Sequence, residues 1–226
     1  MVRWKCSKKS DRGAWQNDKH CYLIFEEIKL INTLETILFA SQNESKVKEV
    51  KHVLLDSYEI KSLNDIGFTG ELDEPFDNFI DNAKTKAKQG YDIFGMPCFS
   101  EDAGLVVEAL DGRPGVLSAR YAGLQKNPID NLNKVLDEMK GINHRHAFFI
   151  ALIAFYNGNE YKLFEGRVYG TLQDRSTGNE GFGYDPIFVP LGYNQTFGEL
   201  NPDIKKLISH RTKAIELFID WIVNYK

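Results

Sequence analysis

Five short segments carry polar side chains where a simple core-and-surface pattern does not ask for them. The first is Ser41-Gln42-Asn43-Glu44-Ser45-Lys46, where an apolar run gives way to a helical pattern. The N–H groups that open a helix point at whatever sits above the strand end, and Lys46 adds a full charge. Together they make a candidate anion site. The spacing is not GxxxxGK(S/T), so this is not a P-loop. Taken alone, a helix cap with a solvated lysine is the better reading. The second segment, residues 71–86, puts Asn82 and Lys86 four apart on one helix face, behind Glu71, Asp73 and Glu74. Carboxylates beside an anion-binding lysine suit a magnesium-bridged polyphosphate. Each acid singly is also explained by the dipole of the helix it precedes.

The third segment is Ser100-Glu101-Asp102-Ala103-Gly104. Two adjacent carboxylates at a strand end, followed by glycine in a turn, call for a partner such as a divalent metal or an activated water. A solvated turn explains them equally well. The fourth is Gly178-Asn179-Glu180-Gly181-Phe182-Gly183-Tyr184-Asp185-Pro186. Its glycines let the backbone approach a flat ligand on which Phe182 stacks, and Asp185 could accept hydrogen bonds from ring N–H or amino groups. The spacing is not the dinucleotide GxGxxG fingerprint, and a glycine-rich hairpin loop is the plainer alternative. The fifth is Lys205-Lys206-Leu207-Ile208-Ser209-His210-Arg211, a donor-rich entry into a helix that suits an anion or a base edge. A capped helix with a solvated basic turn gives the same residues. Adjacent Ser209 and His210 cannot easily form a hydrolase triad, and no GxSxG elbow exists.

Elements must hold these segments in place. Residues 36–41 and 58–63 read as strands, and residues 45–56 as a helix with Val47 and Val50 at helical spacing. Residues 76–91 read as a helix with Phe76, Ile80, Ala83 and Ala87 inward. Residues 97–101 and 105–109 read as two short strands around a turn at 102–104. Asn127-Pro128 suits a helix cap and first turn, with Ile129, Leu132, Leu136 and Met139 as the apolar face. Residues 146–156 are apolar on both faces, as in a covered central strand, and 161–172 follow as a strand after Asn157-Gly158-Asn159. Ser209 is a candidate cap for a last helix. Alternating strands and helices mean an α/β protein with a mixed sheet.

The 226 residues allow one large domain or two small lobes, and 42% hydrophobic with 27% charged residues excludes a mostly disordered or collagen-like chain. A net charge of −4 argues against a protein that coats nucleic acid. The first 20 residues sum to +4 and the other 206 to −8, so residues 1–35 read as an N-terminal extension, flexible or not native, ahead of a domain at 36–226. Cys6, Cys21 and Cys98 lack CxxC spacing, and a reducing compartment is the default. No run has the roughly 18 apolar residues of a membrane span, and no early apolar stretch supports a secretory signal.

In this order the five segments resemble the inosine/xanthosine triphosphate pyrophosphatase family. The specific pieces are Ser100 to Leu105 with Ala109 to Gly123, then Gly181 to Pro186, then Ile208-Ser209-His210-Arg211. The match runs from near Ile37 to about Phe218. The resemblance implies a two-lobed α/β fold with a long mixed central sheet flanked by helices and an active-site cleft between the lobes. It implies a cytoplasmic, homodimeric, Mg2+-dependent hydrolase that cleaves ITP, dITP and XTP to monophosphate and pyrophosphate, with no nucleic-acid or membrane partner. Ser41, Gln42, Asn43, Glu44, Ser45 and Lys46 would hold phosphates, with Lys86. Asp102 would activate the water and bind metal with Glu101 and Glu74, Glu71 being the alternative to Glu74. Phe182, Gly183, Tyr184 and Asp185 would stack on and read the purine, and Lys205, His210 and Arg211 would complete the contacts. The chain has Glu101-Asp102-Ala103-Gly104 where the family commonly has Asp-Asp-Ser-Gly, so Ala103 offers only its backbone. Gly198 stands where alanine is commoner. The alternatives are a pyrophosphatase for other modified nucleotides and a non-catalytic nucleotide-binding regulator.

Overall fold

The computed structural model describes residues 36–54 and 58–224; the expected extension at 1–35 lies outside them, as does the end of the helix expected at 45–56. The elements that position the polar segments are β1 (Thr36–Phe39), α1 (Glu44–Leu54), β2 (Glu59–Ser62), α2 (Phe79–Phe94) and β3 (Cys98–Val107). They continue with α3 (Pro128–Glu138), β4 (His146–Tyr156), β5 (Tyr161–Leu172), β6 (Phe188–Pro190), α4 (Pro202–Ile208) and α5 (His210–Ile222). The described strands form one mixed sheet in the order β2-β1-β3-β4-β5-β6. β1 pairs in parallel with β2 and β3, so α1 and α2 are the crossovers that parallel neighbours require. β3 to β6 run antiparallel.

β4 shows no apolar–polar alternation because both of its faces are covered. Leu152 and Ala154 pack against Ala83 and Ala87 of α2. Ala151, Ile153 and Phe155 cluster with Ile215 and Phe218 of α5. Farther along, Ala147 and Phe149 join Leu105, Val107, Leu132, Val135 and Met139 in a third cluster. Several apolar clusters therefore cover the long strands, and Glu101 and Asp102 sit on β3 between Phe99 of one cluster and Leu105 of another.

Three expectations need correction. β3 is one continuous strand, not two strands around a turn: Asp102, Ala103 and Gly104 pair with Leu152, Ala151 and Ile150 of β4. Gly104 serves close approach instead of a turn, because a Cβ there would run into the Gly115 carbonyl and the Ser118 hydroxyl. α2 starts at Phe79, where Asn78 accepts a hydrogen bond from the Asp81 N–H at 2.8 Å. Phe76 and Ile80 are consequently exposed, and the inward face is Asn82, Ala83, Lys86, Ala87 and Gly90. In α3, Asn127 caps as expected, but Ile129 is exposed beside the buried Leu132, Val135 and Met139.

Candidate active site

Neighbouring side chains on a strand go to opposite faces of its sheet. Glu101 therefore turns to α5 and Asp102 to α2. This corrects the expected pair of carboxylates at a turn, since each acid has its own partners.

On the α2 side the organising cation is Lys86. Its Nζ donates to Glu74 Oε1 at 2.5 Å and to the Glu101 carbonyl at 2.9 Å, and lies 3.7 Å from Asp102 Oδ1. Asn82, one turn earlier on the same face, exchanges two hydrogen bonds of 2.9 Å with the Phe76 backbone, which shapes the loop that delivers Glu74. Arg120 takes the other oxygen of Glu74 at 3.2 Å. Burial alone would raise the Glu74 pKa, but Lys86 and Arg120 outweigh it and hold the carboxyl below its ordinary value. Glu71 instead lies 3.6 Å from Lys126 with an 88% exposed side chain, so of the two glutamates Glu74 is the one beside Lys86. Burial raises Asp102 against the pull of Lys86 and Lys46, and its Oδ2 is buried with no hydrogen-bond partner among the described residues.

On the α5 side, Arg211 Nε donates to both oxygens of Glu101, at 3.0 and 2.9 Å, and Nη1 donates to Glu49 of α1. Lys46 approaches Glu101 Oε1 at 3.9 Å. Burial by itself would raise Glu101, yet the Arg211 and Lys46 charges hold it down at about 2. Burial likewise pushes Lys46 down, with Glu101 opposing. His210 stacks on Phe149 with centroids 4.9 Å apart. Burial and the Arg211 charge push its pKa well below the usual value, which favours the neutral ring, and its Nδ1 has no hydrogen-bond partner among the described residues. Ser209 caps α5 through the Thr212 N–H at 3.1 Å.

The glycine-rich loop is organised from within. Asp185 Oδ2 accepts from the Phe182 N–H and from Lys205, both at 2.6 Å. The buried Asp185 thus fixes the loop and the lysine rather than standing open to a ring edge; burial raises its pKa against Lys205. Lys205 lies 4.8 Å and Arg211 5.6 Å from the centroid of the Phe182 ring, which is 39% exposed. Tyr184 departs from its expected role: its side chain belongs to an apolar core and its hydroxyl donates to the Ser118 carbonyl at 2.8 Å. Gly183 has φ 64, a left-handed conformation natural to glycine, and so brings Phe182 and Tyr184 to opposite ends of one turn.

In the first segment, Ser41 accepts from the Asn43 N–H and Asn43 from the Lys46 N–H, both at 3.2 Å, which starts α1 and aims Lys46 at Glu101. Gln42 donates to the Phe68 carbonyl at 3.0 Å and Glu44 accepts from Asn64, so these two brace the 64–68 turn. Ser45 is exposed, and Ala103 packs against an apolar cluster. Sequence reading missed Glu49 and Arg120. Glu49 was findable, because it lies three residues after Lys46 and shares its helix face.

A family model described as the Ham1 family matches residues 37–221. The chain belongs to the Ham1 family. A dITP/XTP pyrophosphatase of Flavobacterium psychrophilum is 42% identical over 188 residues, 83% of this chain and 99% of the relative. A dITP/XTP pyrophosphatase of Bacillus subtilis is 41% identical over 187 residues, 81% of this chain and 94% of the relative. The solved Ham1 protein of Staphylococcus aureus superposes with a TM-score of 0.78 at 33% identity, covering 85% of this chain and all of that one.

Among the described residues of this Ham1 chain, no group of three His, Cys, Asp or Glu side chains could hold a metal ion. The pair Asp102 and Glu74 nevertheless fits Mg2+, which is commonly held by one or two carboxylates with substrate phosphates and water completing the shell. The unpartnered Oδ2 of Asp102 supplies a free ligand atom for it. Glu101 does not join that set, because its side chain leaves the opposite face of β3, toward Arg211, whereas Asp102 and Glu74 share Lys86.

Proposed function

We propose that this protein hydrolyses deaminated purine nucleoside triphosphates (ITP, dITP and XTP) to the monophosphate and pyrophosphate. The observation that carries the reading is the buried Asp102 Oδ2 beside Lys86, without a hydrogen-bond partner among the described residues, in a chain of the Ham1 family. Asp102 orients and deprotonates a water for attack at the α-phosphorus. The bond from the α-phosphorus to its bridging oxygen breaks, and pyrophosphate leaves with the bonding electrons. Mg2+ held by Asp102 and Glu74 would neutralise phosphate charge. Lys46 and Lys86 hold the phosphates, and their attraction to the leaving group grows as its charge develops. Phe182 stacks on the base, and Lys205, His210 and Arg211 stand at its edges.

A 6-keto purine offers an acceptor at O6 and a donor at N1, and adenine reverses both. A site matched to the first pattern leaves buried groups unpaired against the second, which can cost a factor of about 10⁴. The reading places the chemistry within residues 36–226, in a cytoplasmic homodimer without a nucleic-acid partner. No described helix is long and apolar enough to cross a membrane.

A nucleotide panel with stoichiometric pyrophosphate detection tests this. ITP, dITP and XTP should turn over with Mg2+ far faster than ATP or GTP. Comparable rates on ATP or GTP would overturn the specificity, and turnover of another modified nucleotide alone would reassign the substrate. In the same assay Asp102→Asn should lower kcat by about two to four orders of magnitude. Unchanged turnover would remove Asp102 from the chemistry.

A further inference from the structure

The segment from Gly115 to Gly123 is the part of the sequence pattern that the reading above leaves without a task. In the structure it forms a 3-10 turn over Gly115–Arg120. Five hydrogen bonds lock it, four of them to partners outside the turn in three directions. The Ser118 hydroxyl accepts from the Leu105 N–H of β3 at 2.9 Å and donates to the Gly115 carbonyl at 2.6 Å. Tyr184, from the glycine-rich loop, donates to the Ser118 carbonyl at 2.8 Å. Asn131 of α3 donates to the Ala119 carbonyl at 3.0 Å and accepts from the Ala122 N–H at 2.6 Å. The missing Cβ of Gly104 leaves room for the turn to sit directly on β3.

The turn ends in Arg120, whose Nη1 meets Glu74 Oε2 at 3.2 Å while Lys86 holds Oε1 at 2.5 Å. Glu74 is thus clamped from both sides, by one cation that also lies 3.7 Å from Asp102 and by another fixed to the turn. A carboxylate on a loop has several rotamers, and two opposed charge-assisted hydrogen bonds select one. From these contacts we infer that Arg120 is a positioning residue. It holds Glu74 in register with Lys86 and Asp102, and it acts through Glu74 rather than by touching the substrate. The Tyr184–Ser118 bond ties the same turn to the loop that carries Phe182, so base loop and metal-side carboxylate share one rigid support. Partners that orient a metal-binding carboxylate typically contribute about 10- to 100-fold in affinity or activity. The inference rests on the reading of Asp102 and Glu74 as metal-side residues.

The test is a double-mutant cycle read in two ways. Mn2+ binding to the substrate-free full-length protein is measured by calorimetry, and ITP turnover by pyrophosphate release. Arg120→Ala should weaken Mn2+ binding and lower kcat, each by about 10-fold, with KM changed less than about twofold. Arg120→Lys, which keeps the charge, should restore more than half of the lost Mn2+ affinity. In a Glu74→Ala background the Arg120→Ala change should add nothing further. Two results would overturn the inference. One is an increase in KM with kcat and Mn2+ affinity unchanged, which would make Arg120 a phosphate contact. The other is fully multiplicative losses in the cycle. If Arg120→Ala does not fold, Arg120→Gln with Glu74→Gln supplies the same cycle. Wild-type protein that binds Mn2+ but leaves ITP intact would defeat the proposed substrate and still let the Mn2+ arm judge Arg120.

Discussion

Glu101 is a buried carboxylate whose charge is kept by Arg211 and Lys46, and that gives it a pH signature. Its native pKa is about 2 against an ordinary 4.5. A carboxyl with a depressed native pKa adds stability that is complete above the unfolded pKa and is lost as pH falls through the native one. The window is therefore roughly pH 4.5 down to 2, and the loss is of order 3 kcal/mol. Urea unfolding at a series of pH values should show wild type losing more stability across that window than Glu101→Gln; parallel profiles would contradict the assignment. Much of the site was visible at this scale. Lys46, Lys86, Asp102 and Arg211 are brought together around β3, and Lys205 lies with Arg211 over the Phe182 ring; each stands out in the sequence as a charge within or beside an apolar run. The sequence pairs Tyr184 with Phe182 as neighbouring aromatics, whereas in the structure the turn at Gly183 separates them and the Tyr184 side chain packs in an apolar cluster.

At the scale of elements, β3 does the positioning. Its alternation sends Glu101 and Asp102 to different helices, and its Gly104 receives the Gly115–Arg120 turn. Gly104→Ala should destabilise the fold by about 1–3 kcal/mol, as overpacking of a tight site does. The measurement is thermal unfolding beside Ser118→Ala, which removes a hydroxyl bond without adding volume. A neutral Gly104→Ala would mean that the turn can retreat freely. β4 and β5 were readable to the residue, because their runs of apolar and β-branched side chains are local signals. β3 was not. Its polar centre is stabilised by cations from α1, α2 and α5, and those contacts span up to 110 residues of sequence. The start of α2 was missed for a smaller reason: Asn78 caps the helix, and the apolar Phe76 ahead of it mimics a first turn.

At the scale of the molecule, the average charge is a poor guide to the site. The chain carries −4 overall, and its first 20 residues offset a remainder of −8. A polyanionic substrate would be repelled at long range and must be captured by a few placed cations. The apolar clusters of the described residues and all five polar segments lie between Ile37 and Ile222. A chain lacking residues 1–30 should therefore retain kcat/KM for ITP within about twofold, measured beside the full chain. A larger loss would give the N-terminal residues a part in the chemistry.

The opposite facing of Glu101 and Asp102 also turns β3 into something like a reading frame. Removing or adding one residue between Cys98 and Ser100 would exchange the two acids between faces, sending aspartate to Arg211 and glutamate to Lys86. Residue types could drift in this stretch over long times, but its length could not. Insertions and deletions in the lineage should accumulate in the connections and stop at the ends of this strand.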